Sequence, residues 1–403
     1  MDESTANQSE TNQSTANQSE TNQSTANQSE TNQSTANQSE ANEPEQREET
    51  AEEPDPTRPD GGSRPRVAVV ACGGTIASEP DEGGAAPAKT GDDLVDAVPG
   101  VDAYAAVTAR EVCSQPGFDV RWRDVLATAT AAREAVTGGA DGVVVTHGTD
   151  TLTDTAFALD LLTDLDAPVV VTGAQRRLDE PSSDAPANLT LAVRAAADGR
   201  FAPGVHVAFD DELHAARDCI KAHSNALSTM TSPGTGPVAT FTRANSRLVR
   251  EPRRSVAVDP LLDRIDPNED PVESAERIPE VPVVHSGTGV GAAGVERAVE
   301  AGVGGLVIEG TGLGNATAAI GDAVAEAVRD VPVVVAGRPP AGPTEPVYGT
   351  PGGAVTLDEH GVVFAGSLPA SKARIALALG LAADVDRRER GALFRAPETQ
   401  RGL

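Results

Sequence analysis

The sequence predicts an α/β protein of two domains, each a mainly parallel sheet flanked by helices, with the larger domain first. Three observations point there. Short Val- and Ala-rich runs recur along the chain with helix-length segments between them. The runs are apolar throughout and do not alternate, as in strands buried on both faces. A charged, proline-rich stretch over 249–281 interrupts this rhythm before it resumes, which is a linker composition.

The chain begins with a segment outside that scheme. From Ser4 the decapeptide STANQSETNQ occurs three times with a partial fourth copy, and an acidic, proline-punctuated stretch follows to about residue 66. Residues 2–62 contain no Val, Ile, Leu, Phe, Tyr or Trp. Ordering the backbone costs about 1–2 kcal/mol per residue, and a segment with nothing apolar to bury cannot offset it. Residues 1–65 are therefore expected to form a disordered acidic tail, and a ten-residue period without an apolar face builds no solenoid.

Next comes the larger domain, expected over 66–250. Its candidate strands are VAVVAC (67–72), GVVVTH (142–147), PVVVT (168–172), VHVAF (205–209) and VATF (238–241), all read as parallel. Amphipathic helical segments are expected at 123–137 and 151–163. Residues 251–280 are the expected linker. The second domain, 281–390, carries VPVVH (281–285), GLVIE (305–309), VPVVVA (331–336) and VVFAG (362–366), closed by a helix over about 369–382 and a tail over 391–403.

Composition excludes some functions. Beyond Gly62 the chain still carries 47 acidic side chains against 30 basic ones, a surface that repels a phosphate backbone, so no nucleic-acid partner is expected. Lysine is scarce: Lys89, Lys221 and Lys372 stand against 29 Arg. Acid-rich, lysine-poor composition fits work in concentrated salt, where screening removes self-repulsion, and equally a high-GC codon bias. In a chain that avoids lysine, each survivor is a candidate for a task arginine cannot perform. Cys72, Cys113 and Cys219 form no CxxC pair and no metal-ligand spacing with histidine, so reduced thiols and a cytoplasmic setting are expected. The polar N-terminus lacks a signal peptide, and no apolar run reaches the roughly 18 residues of a membrane span, so no membrane association is expected.

In open parallel sheets ligands sit beyond the carboxyl ends of the strands. The residues found there are GGTIAS (73–78), HGTDT (147–151), GAQRR (173–177) and EGTGLGN (309–315). Gly73 and Gly74 allow a tight turn and close approach of a substrate; an ordinary strand-to-loop turn would look the same. Thr151 and Asp154 have capping-box spacing, with Asp150 beside them, which also reads as plain helix capping. His147 adjoins this turn and is expected to orient it.

Taken together, ACGGTIAS (71–78) and VVVTHGTDTLTDTAFALDLL (143–162) closely resemble the asparaginase/glutaminase family of bacterial-type amidohydrolases, and the likeness runs from about Val67 to Leu381. The resemblance implies that Thr75 is the nucleophile and that Thr149, Asp150 and Lys221 form a second triad, Lys221 lying in RDCIKAHS (217–224). Ser114 and Gln115, in VCSQPGFD, match the pair that holds the substrate's α-carboxylate and α-ammonium, with Gly74 and Gly148 lining the site. Asn315, in GTGLGN, resembles a residue that lines a neighbouring subunit's site. The family activity is hydrolysis of asparagine, with glutamine a side substrate, without metal or cofactor, in a homodimer or homotetramer whose sites combine two subunits. The chemistry suits these residues: a threonine hydroxyl is a weak nucleophile that needs a positioned base, and a lysine's pKa responds to its surroundings as arginine's does not.

Two departures stand out. Cys72 replaces the family's usual threonine, a change in packing. The segment after the first motif, 79–93, has the composition of a mobile lid but lacks the tyrosine that assists the nucleophile in the family; Ser78, Lys89 and Tyr348 are candidates for that duty. Three other readings compete. Gly289, Gly291 and Gly294 after strand 281–285, with Glu309 ending the next strand, imitate a dinucleotide-binding fingerprint, although Ser286, Gly287 and Thr288 intervene. The asparaginase-like subunit of archaeal tRNA-dependent amidotransferases shares both signatures, and an inactive amino-acid-binding homologue would keep the fold.

Overall fold

The computed structural model describes residues 64–81, 84–252, 254, 259–266 and 268–395. The acidic repeat tail therefore lies outside the described residues, save Arg64 and Pro65, as does most of the expected C-terminal tail. The first sheet has eight strands: β1 Arg66–Ala71, β2 Ala106–Glu111, β3 Gly142–Thr146, β4 Val169–Thr172, β5 Val205–Phe209, β6 Glu212–Ala215, β7 Ala239–Phe241 and β8 Ser246–Leu248. Their order is β8-β7-β6-β5-β4-β3-β1-β2.

The five strands from β2 to β5 are parallel, because each returns through a crossover long enough to cover a face. Side chains alternate between those faces. Val69, Val144 and Val170 pack under helix α3 (Ala185–Ala196), while Val70, Val145, Val171 and Val207 pack under α1 (Trp122–Thr137) and α2 (Leu152–Leu162). Covered on both sides, these strands need no polar alternation, and for that reason they read as unbroken apolar runs.

The remaining pairs, β5/β6, β6/β7 and β7/β8, are antiparallel, which corrects the expectation of a parallel strand at 238–241. The cause is local: β5 and β6 are joined by Asp210 and Asp211 alone, with φ of 48° and 61°. A two-residue turn with both centres left-handed can only fold the strand back on itself. A second difference concerns α2. It is not amphipathic: ten of its eleven residues are buried, since it lies between the first sheet and a helix of the second domain.

The second sheet has four parallel strands, β9 Val283–His285, β10 Leu306–Gly310, β11 Val333–Gly337 and β12 Val363–Phe364, in sequential order. Helices α4 (Ala293–Glu300) and α5 (Ala318–Ala327) cover one face, and α6 (Ala370–Ala382) covers the other. Helix α6 also packs on α2, so one apolar cluster runs from Val145 and Phe157 in the first domain to Leu377 and Val334 in the second. Within 251–280, Leu261, Leu262, Ile265 and Ile278 are buried in that same cluster. Among the described residues, no helix is long and apolar enough to cross a membrane.

Two core histidines couple this packing to pH. His206 on β5 is fully buried, its Nε2–H donating to the Phe201 carbonyl at 2.7 Å, and burial pushes it down to about 4. Burial pushes His214 on β6 down to about 4 as well. An unfolded histidine titrates near 6.5, so between about pH 6.5 and pH 4 the unfolded chain binds more protons. Stability is therefore complete above this window and is lost as pH falls through it. Urea unfolding at pH 7 and pH 4.5 should show a loss of about 2–3 kcal/mol from His206, and His206→Gln should flatten that pH dependence. An unchanged slope in the variant would remove His206 from the account.

Candidate active site

Three loops leave the carboxyl ends of three adjacent strands and meet backbone to backbone. After β1, residues 72–74 lead into a single 3₁₀ turn, Thr75–Ala77. A Cβ on Gly74 would lie 2.2 Å from the nitrogen and 2.4 Å from the Cα of Gly148, in the loop after β3. A Cβ on Gly148 would in turn lie 2.4 Å from the Cα of Gly117, in the loop after β2. No other residue type has room in either position, and Gly74, at φ +83°, occupies a conformation that favours glycine as well. The Gly74 N–H donates to the Gln115 carbonyl at 3.0 Å, tying the first loop to the segment that carries Ser114 and Gln115. Thr75 and Thr149 thus each sit one residue beyond a direct contact between their loops.

Beneath the β3 loop lies His147, fully buried. Its Nδ1–H donates to the Gly148 carbonyl at 2.8 Å and its Nε2 accepts from Thr155 Oγ1 at 3.0 Å. Burial holds its pKa below the usual imidazole value, and with both nitrogens engaged it orients the turn. The capping box expected from Thr151 and Asp154 does not form. The Thr151 hydroxyl crosses instead to the Gly117 carbonyl, a further tie between loops, and the half-buried Asp154 carboxyl is pushed up by desolvation.

Lys221 arrives from a short antiparallel ribbon, Ile220–Lys221 against Met230–Thr231. Its Nζ donates to Thr149 Oγ1 at 2.9 Å and to Asp150 Oδ1 at 2.8 Å. Asp150 is 57% exposed, so the ion pair contributes little to stability, and its value lies in the linked path from hydroxyl to ammonium to carboxylate. Because the ammonium donates to Thr149, the threonine's own hydrogen points elsewhere, toward Gln175 Oε1 at 3.5 Å. Gln175 is a site neighbour that no residue-level signal in the sequence picked out, beyond its place just after a strand. Its backbone N–H is fixed by Asp184 at 3.0 Å, and its buried Nε2 has no partner among the described residues.

Two of the three candidates for assisting Thr75 are otherwise engaged, and the third is exposed. The buried Ser78 hydroxyl donates to the Gly74 carbonyl at 2.8 Å, Lys89 pairs with Glu79 at 2.7 Å, and Tyr348 is 57% exposed on the second domain. The lid segment is a hairpin, Ser78–Asp81 against Gly84–Pro87, followed by a helix that Thr90 and Asp93 cap reciprocally. Cys72 is buried with its Sγ 3.1 Å from Thr128 Oγ1, and all three cysteines are free thiols. Asn315 lies apart from this cluster, in a turn of the second domain closed by Thr311, and its Oδ1 accepts from the Ala354 N–H at 3.0 Å. The glycines of the apparent dinucleotide fingerprint lead into α4, but Glu309 is held by His285 Nδ1 at 2.7 Å and by Arg338 at 3.5 Å. Both contacts fall on Oε2, so the carboxylate already serves this cluster.

A hydroxyl, an ammonium and a carboxylate in line, set against a second threonine loop at the end of a parallel sheet, suit acyl transfer from an amide. The class is that of two-domain α/β amidohydrolases. Comparison with known proteins agrees. Residues 66–254 match the asparaginase N-terminal domain, and residues 280–394 match the glutaminase/asparaginase C-terminal domain. Over 323 residues the chain is 32% identical to the probable periplasmic L-asparaginase of Haemophilus influenzae, covering 79% of this chain and 88% of that one. It is also 32% identical over 323 residues to L-asparaginase 2 of Escherichia coli, covering 79% and 89%. Over 269 residues it is 34% identical to a glutamyl-tRNA(Gln) amidotransferase subunit of Methanothermobacter thermautotrophicus, covering 65% of this chain and 58% of that protein. The chain belongs to the asparaginase family and is an amidohydrolase.

The loop contact gives a direct test. Gly148→Ala should lower kcat/KM for amide hydrolysis by about 100-fold or more, since misplacement of reacting groups by about 1 Å costs that much. Gly199→Ala, where a Cβ would meet nothing within 4 Å, should stay within about twofold of wild type. Equal activity in the two variants, measured as ammonia release, would mean that the contact does not set the site.

Proposed function

We propose that this enzyme hydrolyses the side-chain amide of L-asparagine to L-aspartate and ammonia, with Thr75 as nucleophile. The observation that carries the reading is the Lys221 ammonium bonded at once to Thr149 and Asp150, one residue from the contact between Gly74 and Gly148. Thr75 Oγ attacks the amide carbon and its proton passes to the leaving nitrogen, which departs as ammonia. Water then cleaves the threonyl ester. The Thr149–Lys221–Asp150 path relays protons in these steps, a service typically worth about 10²–10⁴ in rate. Backbone N–H groups of the two glycine-bearing loops stabilise the oxyanion. Ser114, exposed beside the site, and Gln115 receive the substrate's α-carboxylate and α-ammonium.

Asn315, in the second domain and accepting there from the Ala354 N–H, serves the site of another copy, so the working form is a homodimer or homotetramer. The free thiols support a cytoplasmic setting, and the acid-rich, lysine-poor composition supports work in high salt. A second reading, the glutaminase component of a tRNA-dependent amidotransferase, is favoured by the likeness to such amidotransferase subunits, that of Methanothermobacter among them.

Ammonia release from asparagine and from glutamine in high salt separates the two. Asparagine should be preferred about 10- to 200-fold, the usual value of one methylene in a pocket. Thr75→Ala should fall to near background and Lys221→Met by about 10²–10⁴. Full activity in Thr75→Ala would refute the nucleophile, and a preference for glutamine would turn the assignment toward the amidotransferase.

A further inference from the structure

Lys372 is the third residue of α6, in the second domain, and is 1% exposed. Its Nζ reaches into the first domain and donates to three backbone carbonyls, Ala216 at 2.6 Å, Arg217 at 3.0 Å and Cys219. These carbonyls belong to the turn between β6, which ends at Ala215, and the ribbon that opens with Ile220 and Lys221. Two N–H groups of this turn, from Asp218 and Cys219, already share the Ala215 carbonyl, which leaves the other carbonyls converging on a single point. The second domain grips the same turn again through Arg217, whose guanidinium donates to the Phe394 carbonyl at 2.8 Å.

We propose that Lys372 is a positioning residue for Lys221: its ammonium gathers the 216–219 carbonyls and so fixes where the ribbon delivers the amine to Thr149 and Asp150. The inference rests on the role given to Lys221 above. Three carbonyls around one point match an ammonium, with three N–H bonds on one atom, and do not match a planar guanidinium. That explains why lysine persists here in a chain carrying 29 Arg and 3 Lys.

The groups facing Lys372 are Asp154 on α2, Arg217, Asp218 and Cys219 on the turn, and the Phe157 ring at 5.8 Å. Burial outweighs the nearby acids and lowers the amine to about 8. At pH 7 it is charged and the clasp is closed. Above about pH 8 it loses a proton, and an amine with two N–H bonds cannot serve three carbonyls. Activity should therefore decline on the alkaline side while the chain stays folded.

The test uses the full chain and the variants Lys372→Met and Lys372→Arg, with kcat and KM for asparagine from pH 6 to 10 and thermal unfolding checked at each pH. For Lys372→Met we expect kcat about 10- to 100-fold lower, KM within about threefold, and no alkaline decline near pH 8. Lys372→Arg, keeping the charge but not the geometry, should not restore kcat. Trace acetylation read by mass spectrometry reports Lys221 directly, and Lys221 should react several-fold faster in either variant. That readout is independent of activity: if Lys221→Met proves harmless, the reading of the site fails, while the labelling still decides the clasp. Should Lys372→Met not fold, Lys372→Arg carries the same expectations. Wild-type kcat, pH profile and Lys221 labelling in either folded variant would overturn the proposal.

Discussion

Everything at the site depends on a contact in which no side chain takes part. Gly74 and Gly148 touch through their backbones, and Gly117 closes on Gly148 from the other side. Parallel strands set their neighbouring loops about 4.8 Å apart at the root. Only residues without a Cβ let those loops stay that close as they leave the sheet. The threonines that follow, Thr75 and Thr149, are placed by this exclusion of bulk more than by any attraction between them. The attractions that do exist, from Gly74 N–H to Gln115 and from Thr151 to Gly117, pin the loops in the same arrangement.

The charged part of the site is held in a different way. A chain with a large acidic excess still places a lysine between a hydroxyl and a half-exposed carboxylate. The ion pair itself is screened by solvent, so its geometry cannot come from Coulomb attraction alone. It comes from the backbone that carries Lys221, a two-residue strand following a turn whose carbonyls are bound by a buried ammonium from the other domain. Rigid support lies behind the site and flexible charge lies in front.

Much of this was legible in the sequence because the parallel strands are covered on both faces and so carry unbroken runs such as GVVVT and PVVVT. The paired GGT and HGTDT segments were legible for the same reason, as they follow those runs at once. The strand β2, AVTARE, escaped notice because it is an edge strand with Thr108, Glu111 and half its length open to solvent. The antiparallel reversal after β5 escaped because Asp210 and Asp211 give no glycine signal, although aspartate tolerates the left-handed region. Gln175 and Lys372 were marked only coarsely, one by its place after a strand and the other by the scarcity of lysine, and their contacts lie beyond local pattern. One acts through a loop crossing, the other through a contact with residues 153 to 156 positions away. Helix α2 misled for a physical reason too: a segment that reads as one-sided in isolation is wrapped completely once a second domain packs over it.

That wrapping has a consequence for how a substrate gets in. With Phe157, Leu159 and Leu161 on one side and Ile375, Leu377 and Leu379 on the other belonging to a single dry cluster, the two domains cannot swing apart without wetting it. Entry and exit must therefore be local events, while the two-domain body stays shut. Changes far from the site therefore act on it by shifting the register inside that block, not by opening it.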